Sequence, residues 1–300
     1  MNRDGPGVLP GEDRRPTLGF FFKQLGRKFW KIFSVNLLML FQIIPLLLIW
    51  YVNTTGPKAP SLSKVVYAPL LGAQTASYTG AGASLLNTVS IMEQIPSFDT
   101  PIYWIIGALI VFLVVTFGWQ QVGSTYVLRN LTRGDAVFVV SDYFYAIKRN
   151  LKQGFIMGVL DCAVIFMLGF DFLYLFSQPA DGFTSFMYAA IIAIALVYIF
   201  MRFYIYIMHI TFDMKLGKIL KSALIFTALG IKRNLMAALG ILLLTVLFVC
   251  LIVVGVNMGL YVTILLPFLF YPGITGFMSA YAAYPVIQKY MIDPIPTSNK

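Results

Sequence analysis

Histidine and cysteine are scarce: the 300 residues hold one His, His209, and two Cys, Cys162 and Cys250. A zinc site needs several nitrogen or sulfur ligands, and a hydrolytic triad needs a His base, so both chemistries would have to be built on that single imidazole. Both cysteines lie inside long apolar runs, so neither a disulfide framework nor a CxxC site is expected. Charge is short as well, at 11% Asp, Glu, Lys and Arg, against about 25% in an ordinary soluble domain. Phosphate-loop, HExxH and GxSxG patterns are absent. No cofactor and no enzymatic activity are expected.

What is abundant is hydrophobicity, with 59% of residues from the set AVILMFWYC. Apolar stretches long enough to cross about 30 Å of hydrocarbon recur along the chain. The first covers residues 32–52, contains no charge and holds Pro45, which predicts a kink. Further spans are expected over residues 101–128, 153–176 and 183–210. Residues 235–288 carry no Lys, Arg, Asp or Glu, and their length suits two spans joined by a tight turn near Asn257 to Gly259. Pro267, Pro272, Gly273 and Gly276 should bend or break the second of that pair. The fold class is therefore all-α: a polytopic membrane protein with six transmembrane helices and amphipathic cytoplasmic interfacial helices.

The organisation that follows is an N-terminal disordered arm over residues 1–19 and a six-helix domain over residues 20–288. Residues 53–100 form a long extracytoplasmic loop, with a short helix near residues 83–92. Residues 129–152 and 213–234 are cytoplasmic loops, and residues 289–300 a tail. Phe21, Phe22, Leu25, Phe29 and Trp30 alternate with Lys23, Arg27, Lys28 and Lys31, as in a helix lying at a membrane surface. Val137, Val140, Phe144, Ile147 and Leu151 recur at three or four residue spacing and mark a second interfacial helix.

Basic residues outnumber acidic ones by 22 to 12, giving a net charge of +10. In a soluble chain that excess would point to nucleic acid. Here seven Lys or Arg lie up to residue 31, five in 129–152, five in 213–234 and two after 288, while the outer segments hold two. That asymmetry predicts both termini in the cytoplasm, and the partner it implies is a bilayer with an anionic inner leaflet rather than nucleic acid. Three segments, beginning at Phe21, Tyr143 and Ile225, each run from aromatic through basic to apolar. They read as a threefold hairpin duplication or, more simply, as the anchored basic start that every inward-starting helix needs.

Residues 129–161 carry the most distinctive pattern: Arg129, Asn130, Arg133, Gly134 and Asp135; then Ser141, Asp142, Tyr143 and Phe144; then Ile147, Lys148, Arg149 and Asn150. In these features the chain resembles the YesL-like family, bacterial integral membrane proteins with a domain of unknown function (624), and hydropathy extends the likeness over residues 20–287. The resemblance implies a multi-pass protein of the bacterial cell membrane. Family members accompany genes for carbohydrate import, so it also implies an accessory or scaffold subunit beside an ABC-type sugar uptake system. A sugar permease would show acid-Ala-Ala before Asp-Gly-Ala, whereas Gly134, Asp135 and Ala136 come in another order with no such lead. The alternative is a small solute transporter acting through its own bundle. The oligomeric state is not readable from the sequence.

Candidate site residues follow from charges in apolar surroundings. Asp161 and Arg202 each sit about eight residues, or about 12 Å, from the inner ends of their expected helices, at matching depth. They can pair; otherwise Arg202 snorkels and Asp161 stays a neutral acid. His209 and Asp213 are four residues apart and share a helical face. Asp171 suits an interfacial carboxylate. Asn36, Gln42, Gln120, Gln121 and Asn257 should join helices. Ser141 reads as a helix N-cap with Asp142 in the first turn. Arg129, Asn130, Arg133, Asp142, Lys148, Arg149 and Asn150 would crowd one cytoplasmic face that meets a partner.

Overall fold

A computed structural model describes residues 16–55, 101–179 and 181–293. The helix expected over residues 83–92 and most of the terminal arm and the 53–100 loop lie outside them. In chain order the helices are α1 (Leu18–Thr55), α2 (Pro101–Arg133), α3 (Val139–Arg149), α4 (Leu151–Phe176), α5 (Gly182–Thr211), α6 (Leu216–Leu229), α7 (Ile231–Asn257) and α8 (Leu266–Ile287). A 3₁₀ turn, Tyr261–Leu265, precedes α8, and a π turn, Gln288–Ile292, follows it. No strand occurs among the described residues. Among the described residues six helical segments are long and apolar enough to cross a membrane, and α3 and α6 are short helices between them. The protein is thus an all-α, multi-pass membrane protein.

The chain divides into two compact units, residues 44–113 and the remainder. The described part of the smaller unit comprises α1 from Ile44 and α2 to Leu113. It exposes Trp50 and Trp104, a residue type enriched at membrane interfaces. The larger unit contains most of the core. Residues Phe203 to His209 of α5 are buried on every side, because α4, α6 and α8 all pack on this helix. From α6, Ile219, Ala223 and Phe226 meet it at helical spacing, and from α8 Ala280, Ala283 and Ile287 complete the core. By contrast α7 exposes Leu242, Leu243, Val246 and Leu247 on a charge-free surface suited to lipid.

Close approach of α2 and α4 rests on glycine. Gly154 and Gly158 make a GxxxG pair facing Gly118, and a Cβ at Gly118 would lie 2.7 Å from the Gly158 Cα. The polar end of α2 is closed by Gly134, whose φ of 81° no β-branched residue would adopt. Asp135 N donates to the Asn130 carbonyl (3.0 Å) and Gly134 N to that of Leu131 (3.2 Å), a Schellman motif.

Several expected boundaries move. Residues 20–31 are not a separate surface helix, since α1 runs unbroken from Leu18 through Pro45. Residues 129–133 belong to α2, and Arg129, Asn130 and Leu131 pack against protein, so that helix continues past Leu128. The turn between the last two spans forms at Met258 and Gly259 as expected.

Of the bend or break expected in the last span, no break occurs at Pro272, Gly273 and Gly276, across which α8 is continuous, and Pro267 stands in its first turn after the 3₁₀ segment. Pro272 has no N–H to give the Phe268 carbonyl four residues back. Asn36 of α1 supplies it: Nδ2 donates to the Phe268 oxygen at 2.7 Å, while Oδ1 accepts from Gly273 N at 2.8 Å. A single buried amide thus satisfies both backbone groups at the proline, which is how proline is tolerated inside a membrane helix.

Candidate functional site

The densest polar cluster lies between α4 and α5, ten residues from the start of α4, or about 15 Å along its axis. Asp161 is 2% exposed and accepts from three side chains of α5. The Tyr198 hydroxyl donates to Oδ1 and the Tyr206 hydroxyl to Oδ2, each at 2.7 Å. Between them Arg202 Nε lies 3.0 Å from Oδ1 and 3.1 Å from Oδ2. Residues 198, 202 and 206 stand at successive four-residue steps, so one face of α5 presents Tyr, Arg and Tyr together. Two phenols and one guanidinium N–H satisfy the carboxylate, and the Arg charge balances it in a setting where an isolated ion is costly.

Arg202 approaches Asp161 side-on through Nε, which leaves the two terminal amino groups of its five-donor fork without a protein acceptor among the described residues. Its Cζ also lies 5.8 Å from the centroid of the Phe117 ring. Arg202 is among the residues lining a half-open cavity of about 310 Å³ between α2, α5 and α8, with Met39 of α1. Three hydroxyls of that wall direct their protons to their own helices: Ser124 to the Gln120 carbonyl (2.8 Å), Thr275 to Tyr271 (2.9 Å) and Ser279 to Thr275 (2.6 Å). Their remaining lone pairs are acceptors. Gln121 and Thr125 add an amide and a hydroxyl with no bond to any described residue. The cavity therefore combines a fork of donors on Arg202 with several acceptors, and its net charge is close to zero because Asp161 cancels Arg202.

The other sequence candidates separate. His209 is 3% exposed and neither ring nitrogen has a partner among the described residues. Its expected contact with Asp213 does not form, because α5 ends at Thr211, Phe212 turns to extended backbone (ψ 141°) and Asp213 is carried off the helical face. Asp171 is half-buried on α4.

The expected partner face breaks up in the same way. Arg129 and Asn130 are 7% and 8% exposed, so they are inside the protein. Arg129 donates to Asn130 Oδ1 (2.9 Å from Nη2) and to the Thr211 hydroxyl (2.9 Å from Nη1), tying α2 to the end of α5, and its Cζ lies 5.0 Å from the Tyr126 ring centroid. Arg133 pairs with Asp135 at 3.2 Å on the surface. Asn150, the junction between α3 and α4, donates to the Ala146 carbonyl of α3 at 2.9 Å. Only Lys148 and Arg149 of α3 are exposed without a partner among the described residues.

Ser141 is not the N-cap of α3; Phe138 holds that position. Asp142 is in the first turn and accepts from Phe138 N at 2.9 Å. The face of α3 that turns inward carries Tyr143 and Ala146, while Val140 and Phe144 are exposed. Burial pushes the Tyr143 phenol up to about 12. At the other end of the bundle Asp181 caps α5, accepting from Thr184 N at 2.6 Å, and that bond holds its carboxyl below the usual range.

Of the polar residues expected to join helices, Asn36 meets α8, and Gln42 and Gln120 link α1 to α2 through the Thr116 hydroxyl (3.3 Å) and the Met39 carbonyl (3.2 Å). Gln121 lines the cavity instead, and Asn257 bonds its own helix at Val253. Sequence reasoning missed Tyr198 and Tyr206, and also Asn234, which accepts from the Tyr204 hydroxyl at 2.8 Å and donates to the Thr227 carbonyl at 3.1 Å. Among the described residues no group of three His, Cys, Asp or Glu is placed to hold a metal. No family model, curated protein or solved structure matches the chain.

Proposed function

We propose that this protein is a non-enzymatic membrane carrier that takes a small, neutral, hydroxyl-bearing solute into its helix bundle. The observation that carries this reading is Arg202, its terminal donors unfilled by described residues, in the wall of a largely apolar cavity that also holds several hydroxyls. A charged group at that depth is costly and marks a pathway by default. The ligand class follows from the wall. Arg202 calls for oxygen acceptors, whereas Ser124, Thr275 and Ser279 offer lone pairs and so call for ligand donors. A polyol supplies both on adjacent carbons, while a carboxylate would meet the acceptors unfavourably. A volume of about 310 Å³ is at the small end of ligand pockets, which limits the solute to a few carbons or a single ring.

The implied setting is a bacterial cell membrane with both termini cytoplasmic, supported by the distribution of basic residues and by the resemblance to the YesL-like family. Uptake of labelled polyols into liposomes containing only the purified protein tests the reading. Saturable uptake that falls at least tenfold in a Thr275→Val, Ser279→Ala variant is expected. Those changes leave the ion pair intact, so a thermal midpoint near that of the parent separates lost recognition from lost folding. Uptake no greater than in empty liposomes would contradict the reading.

The second reading is an accessory or scaffold subunit of an ABC-type carbohydrate uptake system. What favours it is the outer face of α3, where Lys148 and Arg149 lie beside the exposed Val140 and Phe144. Under that reading, purification in mild detergent recovers permease or ATPase subunits, and Lys148→Glu with Arg149→Glu removes them.

A further inference from the structure

A second concavity lies on the surface that the bundle turns to lipid, apart from the Arg202 cavity. It is a trough of about 410 Å³ between the start of α1, α7 and α8. Along α7 its lining residues are Arg233, Met236, Ala237 and Gly240, at spacings of three, four and seven from Arg233, so they form one stripe about 10 Å long. Small residues make the floor: Ala237 and Ala282 are 9% and 6% exposed, and a Cβ at Gly240 would only touch Met278 Sδ at 3.6 Å. Phe22 and Met236, both more than half exposed, form the rims.

The trough is amphipathic along its length. Arg233 stands at its polar end, three residues into α7, with the exposed Lys232 beside it. The guanidinium has no ion pair among the described residues, only a marginal 3.5 Å contact from Nη2 to the Pro16 carbonyl. None of the residues lining the trough is acidic. No side chain caps α7, so the positive end of that helix adds to the two cations. Beyond Arg233 the α7 stripe is apolar.

We propose that this trough is a binding site for one anionic phospholipid, with the phosphate at Arg233 and Lys232 and an acyl chain along Ala237 and Gly240. A cation at the start of a membrane helix above an apolar groove matches the headgroup and tail of a lipid in register with the bilayer. A zwitterionic lipid fills the same groove but gains less from the two cations. A free phosphate gains from the cations and leaves the groove empty.

The test is native mass spectrometry of the full chain released from mild detergent, supplied with equimolar phosphatidylglycerol and phosphatidylcholine of matched chains. One retained phosphatidylglycerol is expected, preferred by at least about fivefold, the factor that one cation near an anionic surface supplies. Arg233→Gln with Lys232→Gln abolishes the preference but not the retention, Arg233→Lys keeps the preference, and Gly240→Leu reduces retention of both lipids. Arg233 is partly exposed, so neither change at that position empties the core. Equal retention of the two lipids, a preference that survives Arg233→Gln with Lys232→Gln, or displacement of the lipid by glycerol phosphate alone would overturn the proposal. The last result would mark a simple anion site.

Discussion

The intramembrane cluster at Asp161 and the polar segment 129–152 both concentrate charge, yet they use it differently. At Asp161 both carboxylate oxygens are filled by α5, and the unused capacity belongs to Arg202, a lining residue of the cavity. In the 129–152 segment the two residues that look most recognition-like, Arg129 and Asn130, bond each other and Thr211 inside the protein, and the unused charge is left on Lys148 and Arg149 at the surface. The lesson is that a polar motif between spans can be cement, while a lone charge within a span can be the chemistry.

The largest effect that separates the two regions is expected at Asp161. Asp161→Leu strands Arg202 and two phenols, and stability should fall by about 3 kcal/mol, read as a lowered thermal midpoint in detergent. Adding Arg202→Leu should recover most of that loss, because a buried pair replaced by apolar residues is close to neutral. No recovery would mean that the pair does not act as a unit. Next comes Arg129→Ala, which removes charge-assisted bonds to Asn130 and Thr211 and should cost about 2 kcal/mol without changing solute uptake. An uptake defect at unchanged stability would return Arg129 to a recognition role.

A pH series sharpens the contrast with an exposed cap. The Asp181 carboxyl is held low by its bond from Thr184 N, so its contribution is present above the ordinary Asp range and disappears as pH falls through the lowered value. Asp181→Ala should therefore lower the thermal midpoint at pH 7 and make no difference once the wild-type carboxylate is protonated. The smallest effect belongs to Lys148→Ser with Arg149→Ser, which should stay within about 0.5 kcal/mol of the parent. A larger loss would show that the surface of α3 is held by contacts the single chain does not make.

The spans and the pairing partners Asp161 and Arg202 were legible because charge inside an apolar run has few places to go. Tyr198 and Tyr206 were not, since tyrosine counts as apolar in a hydropathy reading; their four-residue spacing around Arg202 was the available signal. The role of Asn36 was illegible for another reason. The proline it compensates is 236 positions away in sequence, and nothing local links them. Arg129 and Asn130 were misplaced because a polar stretch after an apolar one reads as the end of a helix, whereas Gly134 sets the end at Arg133, five residues past Leu128. His209 and Asp213 failed at a boundary too, as helical spacing holds only while the helix lasts.

The most direct measurement of the central claim is solute protection at the cavity wall. In a background where Cys162 and Cys250 are replaced by Ala and Ser, Ser279→Cys places a thiol in the cavity wall that also includes Arg202. The account predicts that a small water-soluble thiol reagent labels it in liposomes and that a neutral polyol slows labelling in a saturable way. Labelling that no polyol slows, or a thiol that stays unreactive in folded protein, would contradict a solute site in the bundle.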